Sequence, residues 1–600
     1  ILVTSFFICI ATNINTEQAV TPYFSIRSQG RNSARFLSGW VNQTHKNIES
    51  IYGTLAVTPA YTRSFNPSAI TRCLFGDNVT NCNDELRLTI SGSRTPDRGE
   101  KDLLADYFYL PTDFKSTVTF NPRIDNFLID FSFFLGLDEW ATGLYLWIDA
   151  PLTHTRWDLN MCEKVESPGI LADDPGYFTG ESLPRNRLLE NFTAFTSGQM
   201  VAGAEFSNTV FQQLQFAQIS DETKEDKTRL ADLRMAFGWD FYRTQCSYAG
   251  INFQVTAPVG NRPRGIFLFE PIVGNGHHWE LGFGINGRVG FWQQENEVCQ
   301  ASLILNSSIS HLFKAKQKRT FDLANNGTLS RYMVVEKLDI PVTNDLQGGG
   351  TAATSQFKKE FAPVANISTL DVNVSSAIQA DIVLMLNISG HSYSWDFGYN
   401  FWGRSCEKVR IRPADVIVEP NTWALKGDAA VFGFAATTQE AIALSATQKR
   451  ATIHTGLNFP ASGTTDNDLI TAGRKNPVID NPKPATATDM NGTMNVPLIF
   501  DPTADNIPAN QINTSIQPLF LTENDVSVNK VKSRGISNKV FTHFSYTWPK
   551  GKDGWIPYLG IGGEAEFGQH KKQSYDGCTT CPTCALSQWG VWLKGGFSFE

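Results

Sequence analysis

Three sets of residues in this 600-residue chain have types and spacings that could do chemistry. The stretch HHWELGFGINGRVGFWQQ (277–294) spells G-x-G-x-x-G through Gly282, Gly284 and Gly287. That is the spacing of a turn that cradles a dinucleotide pyrophosphate. It also offers His277 and His278 as metal ligands or as a base. Near the C-terminus, GCTTCPTC places Cys578, Cys581 and Cys584 downstream of His570, three thiolates and an imidazole that could hold zinc. The third set is dispersed. Asp130, Asp232, Arg234, Asp240, Glu280 and Arg288 each interrupt a run of small polar and apolar residues. Lining a wet channel, they would set a transverse field and tune ion selectivity; in a plugged lumen they would form structural ion pairs.

The elements that carry these residues decide among the chemistries. A phosphate cradle needs a strand that ends at the glycines and a helix that opens after them. Here Trp279, Leu281, Phe283 and Ile285 are apolar at every second position, Glu280, Gly282, Gly284, Asn286 and Arg288 fill the gaps, and no helical pattern follows. The segment is a strand, and no cofactor is expected. His277 and His278 fall in the turn before it, where polar side chains simply meet water. Ten cysteines fit an exported protein. Their C-terminal cluster lies in a loop between the last two strands, so disulfides are expected there in place of a metal, with one thiol left for another loop or chain. Cys73 and Cys82 bracket the short CLFGDNVTNC, for which a local disulfide is the economical reading.

Period-2 alternation recurs along the whole chain. DNFLIDFSFFLGL (125–137) sets Phe127, Ile129, Phe131, Phe133 and Leu135 on one face. LADLRMAFGWDFY (230–242) opposes Met235, Phe237, Trp239 and Phe241 to Asp232, Arg234, Gly238 and Asp240. About sixteen to eighteen such segments can be counted, most of them longer than ordinary soluble strands and long enough to cross a bilayer at a tilt. With aromatics at 12% and charged residues at only 18%, the chain needs a place for rings other than a conventional core. Lipid is that place in an outer-membrane barrel, whose small polar residues face a wet interior. Short turns such as RTQCS and PKGKDG alternate with long polar insertions, as in such barrels. The closing stretch WGVWLKGGFSFE, with Trp589, Val591, Leu593, Phe597 and Phe599 on one face, resembles the last strand of bacterial outer-membrane barrels. Large porins and cysteine-containing major outer-membrane proteins are the families it is similar to.

The expected fold is therefore all-β: one transmembrane antiparallel barrel of about 16 (16–18) strands with long extracellular loops. Residues 1–20 read as the remnant of a signal peptide, 21–48 as an N-terminal extension, and 49–600 as the barrel, with large insertions at about 341–376 and 407–537. The expected location is a Gram-negative outer membrane, in contact with its lipid and lipopolysaccharide, and the resemblance to porins implies a homotrimer. Net charge is −8 with no basic block, which argues against a nucleic-acid partner. The expected function is passive diffusion of small hydrophilic solutes. The alternative is a surface-coat or adhesin barrel, closed and cross-linked through its loop cysteines. An outer-membrane hydrolase would need a cluster of carboxylate, His or Ser at one rim, and no such cluster can be read, so no catalysis is expected.

Overall fold

A computed structural model describes residues 23–454 and 518–600, apart from short stretches of which 202–207, 220–224, 293–300, 346–350, 413–420, 435–440 and 573–580 are the longest. The signal-peptide reading of 1–20 lies outside the described residues.

Twelve strands close into a barrel: β1 (Tyr52–Ser64), β2 (Arg123–Gly136), β3 (Leu144–Asp158), β4 (Asp232–Arg243), β5 (Tyr248–Pro258), β6 (Glu280–Trp292), β7 (Ala301–Thr320), β8 (Thr369–Ser389), β9 (Tyr393–Arg404), β10 (Gly535–Thr547), β11 (Trp555–Gly568) and β12 (Gln588–Phe599). Each pairs antiparallel with the next, and β12 pairs with β1 to close the ring, Gly53 opposite Phe599 and Ser64 opposite Gln588. The barrel is smaller than the sixteen strands expected. The surplus alternating segments form sheets outside the wall.

Burial follows the alternation read from the sequence. On β4, Met235, Phe237, Trp239 and Phe241 are exposed while Arg234 and Asp240 are buried. On β6, Phe283 and Ile285 point out and Glu280, Asn286 and Arg288 point in. The strand runs unbroken through Gly282, Gly284 and Gly287, so no phosphate turn exists there. Glycine has a packing role at Gly284, where a Cβ would fall 2.4 Å from Asn252 Oδ1. An outward apolar face around a closed wall has no protein to cover it, and lipid is what such a face requires. No helix is long and apolar enough to cross a membrane, which is immaterial to a chain that crosses with strands.

The two ends of the barrel differ. At one end the connections 137–143, 244–247, 390–392 and 548–554 are short, and exposed Tyr242, Trp292, Tyr393, Tyr546 and Trp555 form an aromatic girdle beside the C-terminus. At the other end every connection is long. This asymmetry marks the long-loop end as the outer side of an outer membrane. The chain is an outer-membrane β-barrel. Two of the long segments begin or end elsewhere than expected: residues 369–376 belong to β8, and 535–537 to β10.

The long connections fold together into a head over the outer end. It contains one sheet in which Trp423–Leu425, Val334–Leu338, Phe357–Pro363 and Val210–Phe211 lie side by side, and a second built on Glu85–Ser91, Lys115–Phe120 and Met161–Ser167. A contiguous apolar core joins these sheets, with Leu88, Phe108, Phe178, Val335 and Phe361 fully or almost fully buried.

Glu336 is an anomaly in that core. It is fully buried, and neither carboxylate oxygen has a hydrogen-bond partner among the described residues. Burial pushes its acid well above the ordinary value, and nearby Lys426 only partly opposes this. A group whose pKa is raised on folding contributes full stability below its unfolded pKa and loses that contribution as pH rises through the folded pKa. The head of the wild type should therefore lose thermal stability between mildly acidic and alkaline pH. Glu336→Gln should flatten that slope, which a series of melting curves in detergent would show; an unchanged slope would mean the acid is compensated.

Candidate functional site

The lumen is filled by the chain's own N-terminal segment. Residues 27–45 descend from the head to the short-turn end as a plug, which then leads into β1. A helix too short to be stable alone, α1 (Ser33–Leu37), lies midway and takes its stability from the wall at both ends. Asn32 caps its start, accepting from Arg35 N at 3.2 Å and donating Nδ2 to Glu564 at 2.9 Å. At its end, wall residue Lys594 donates to the carbonyl oxygens of Arg35, Phe36 and Ser38 at 3.2, 2.7 and 2.8 Å. These carbonyls would otherwise be unpaired at a helix C-terminus.

Plug cations meet wall carboxylates at successive levels. Arg27 pairs with Asp381 at 2.9 Å and Glu566 at 3.3 Å. Arg31 pairs with Glu280, Arg35 with Asp130, and His45 Nδ1 lies 2.7 Å from Asp240. Backbone and neutral groups extend the seam: Ser28 donates to Asp232, and Gly39 N donates to Asp396 at 2.7 Å. Gly39 has φ +75° and its Cβ position lies 2.8 Å from His543, so a side chain there would be both strained and crowded. Arg288 returns the favour from the wall, donating to Val41 O at 3.1 Å and Asn42 Oδ1 at 3.2 Å.

All six charges singled out in the sequence thus face the lumen. Asp130, Asp232, Asp240, Glu280 and Arg288 contact the plug directly. Arg234 pairs across the wall with Asp149 and stacks its guanidinium 5.1 Å from the ring of Phe36 in α1. They do not line an open aqueous pore in this state, because the plug occupies the space an aqueous path would need. Sequence reasoning missed the other half of the seam: Arg27, Arg31 and Arg35, and Asp381, Asp396, Glu564, Glu566, Lys539 and Lys594 on the wall. One signal was available, arginines four residues apart in RSQGRNSAR.

Two cavities of about 30 Å³ each flank the plug. One lies between Arg27, Arg31, Thr62, Trp402 and Lys539, and the other between Leu37, His45, Trp147, Asn252 and Asn306. Each has room for about two waters. Arg31 Nε and Trp402 Nε1 have no protein partner among the described residues, which suits water in the first.

The cysteines are paired, but not as expected. Cys73 is bonded to Cys584 and Cys406 to Cys581, across three neighbouring outer connections. The proposed Cys73–Cys82 loop disulfide is absent, and Cys82 is free and exposed, as is Cys162. Cys578 lies outside the described residues. With two sulfurs of its donor set already in disulfides, a zinc site at the C-terminal cluster does not form. His277 and His278 sit beside the wall with no cluster of metal-binding residues around them among the described residues, and burial lowers the pKa of both.

No family model matches the chain, and no curated protein matches it. Similar solved structures include an outer-membrane channel from Pseudomonas putida F1, at 7% identity and TM-score 0.31 over 93% of this chain and 98% of that one. A Pseudomonas aeruginosa FadL homologue matches at 7% identity and TM-score 0.27, over 96% and 99% of the two chains. A deletion mutant of the monoaromatic hydrocarbon channel TodX matches at 6% identity and TM-score 0.27, over 97% and 95%. Identity and superposition are too low for these to speak for this chain; the closed strand order and the lipid-facing band stand without them.

Proposed function

We propose that the protein is an outer-membrane channel for small hydrophilic solutes, held closed by its N-terminal plug. The observation that carries this reading is the kind of surface the plug covers. Its charged and polar wall partners are carboxylates, amides, hydroxyls and cations, set among apolar and aromatic side chains such as Leu128, Trp147 and Trp592, and its contacts with all of them are non-covalent among the described residues. A segment held by ion pairs and hydrogen bonds can leave without breaking a covalent bond, and a polar wall can be rewetted at little cost. Displacing the plug would leave a bore with charged and polar groups at every level, between aromatic and apolar side chains, and such groups are what a path for hydrophilic solutes needs.

Planar-bilayer recording tests this. The wild type should show rare openings. Arg27→Gln/Arg31→Gln/Arg35→Gln, which loosens the plug without touching the wall, should raise the open fraction at least tenfold, with steps that scale with salt. Silence in both would move the weight to a second reading, a closed surface-coat barrel. Two observations favour that alternative: the large disulfide-stapled head, and two exposed thiols, Cys82 and Cys162, able to link chains.

A further inference from the structure

The wall and the plug are electrostatically unequal. Of the wall cations at plug level, Arg234 is matched by Asp149 and Lys539 by Glu564 and Glu566, while Arg288 and Lys594 donate to carbonyl oxygens of the plug. Six lumen carboxylates, Asp130, Asp232, Asp240, Glu280, Asp381 and Asp396, have no wall cation in contact among the described residues. All six are buried. They are spread along the bore, from Glu280 at the outer end of β6, through Asp381 and Asp130, to Asp396 and Asp240 close to the short-turn ends of their strands. The plug supplies a donor to every one, and at four of them that donor is a guanidinium or an imidazole.

Carboxylates removed from water are retained only where something positive or strongly donating meets them. Amides and hydroxyls outside the plug orient four of the carboxylates without neutralising them: Asn400 donates to Asp381 at 2.6 Å, Asn387 to Asp396 at 2.7 Å, Asn286 to Asp240 at 3.1 Å, and Asn275 and Ser310 to Glu280 at 2.9 and 3.1 Å. Such oriented acceptors are a preformed cation site, and the basic ladder of the plug occupies it.

We infer that the lumen, once the plug withdraws, binds and selects extended organic cations that carry amino or guanidino groups, the plug being their built-in competitor for the same carboxylates. This rests on the channel reading above in one respect only, that the plug can leave. Linear cations with several charges spaced along a chain fit a line of carboxylates as Arg27, Arg31 and Arg35 do, while anions meet a bore in which these six carboxylates outnumber the unmatched wall cations Arg288 and Lys594 and are disfavoured.

The test uses the full chain carrying Arg27→Gln/Arg31→Gln/Arg35→Gln, with spermidine and arginine amide as probes. Under a salt gradient its current should reverse at a cation-selective potential, and micromolar spermidine should reduce that current. Adding Glu280→Gln and Asp381→Asn should move the reversal potential towards zero. Titration calorimetry in detergent, which needs no conductance, should show spermidine affinity falling at least tenfold on the same two substitutions. A conducting variant that is anion-selective or indifferent to the probes would overturn the inference and leave the channel reading intact. A silent variant whose spermidine affinity is unaffected by the acid substitutions would overturn both. Should the triple variant fail to assemble, Arg31→Gln alone uncovers Glu280, and comparison with Arg31→Gln/Glu280→Gln decides the same question.

Discussion

Arg35→Gln should destabilise the folded protein by about 3–5 kcal/mol, the usual cost of removing one partner of a buried ion pair. Asp130, on β2, is fully buried and Arg35 is its ion-pair partner, so the substitution strands a carboxylate inside the barrel. Asp130→Asn removes that charge from the other side and should cost a similar amount, because a guanidinium is then left uncompensated. The double variant should be far less damaged than the sum of the two, with a coupling energy of roughly 2 kcal/mol or more. Guanidinium unfolding in detergent measures the energies. Protease cleavage within residues 27–45 reports separately whether the plug has come loose while the wall stays folded. Single-variant losses below about 1 kcal/mol without coupling would mean that water already screens the pair as it would on a surface. In that case the plug is held by its hydrogen bonds, above all those of Lys594 to the end of α1, and not by charge.

That pair also shows how much of the molecule could be read in advance. Asp130 stood out because it breaks an alternation of Phe127, Ile129, Phe131 and Phe133, so its lumen-facing side was legible from period 2 alone. Arg35 did not stand out, since 23–48 has neither strand nor long-helix periodicity, and its partners Asp130 and Lys594 lie 95 and 559 residues away. The over-count of strands has the same root. Lys115–Phe120 alternates as cleanly as any wall strand, because a half-buried strand in the head also hides every second residue. Period 2 reports one covered face and does not say whether the other meets water or lipid. The start of β8 does not stand out as strand for the opposite reason: TLDVNVSS carries few bulky residues, yet Leu370, Val372 and Val374 bury against the head core. That the glycine motif lies inside a strand was readable, since the alternation through it is local.

Reducing the two disulfides described among the outer connections, Cys73–Cys584 and Cys406–Cys581, should unfasten the head without opening the barrel. Their pairing follows from closure of the wall. Cys73 lies on the connection after β1, Cys581 and Cys584 on the one between β11 and β12, and Cys406 on the one between β9 and β10. Because β12 pairs with β1 and β10 with β11, these connections emerge side by side, and sulfurs 511 residues apart in sequence become neighbours. Cys82, nine residues from Cys73, points to solvent and has no part in it. A cross-link over so long a loop restricts the unfolded chain strongly, and the loss of each bond should cost the head about 2–4 kcal/mol. The wall, held by twelve continuous strand pairings, does not depend on them. Thermal unfolding with reductant should therefore split into an early head transition and a late barrel transition, the latter still seen as heat-dependent gel migration. Cys73→Ala/Cys584→Ala should reproduce the early transition without reductant. If head and barrel instead melted together at a lower temperature, the stapled connections would be part of what closes the wall. The plug, above which Phe24 packs against Trp157 at the outer end of β3 and Phe269 of the head, would then be released by the same event.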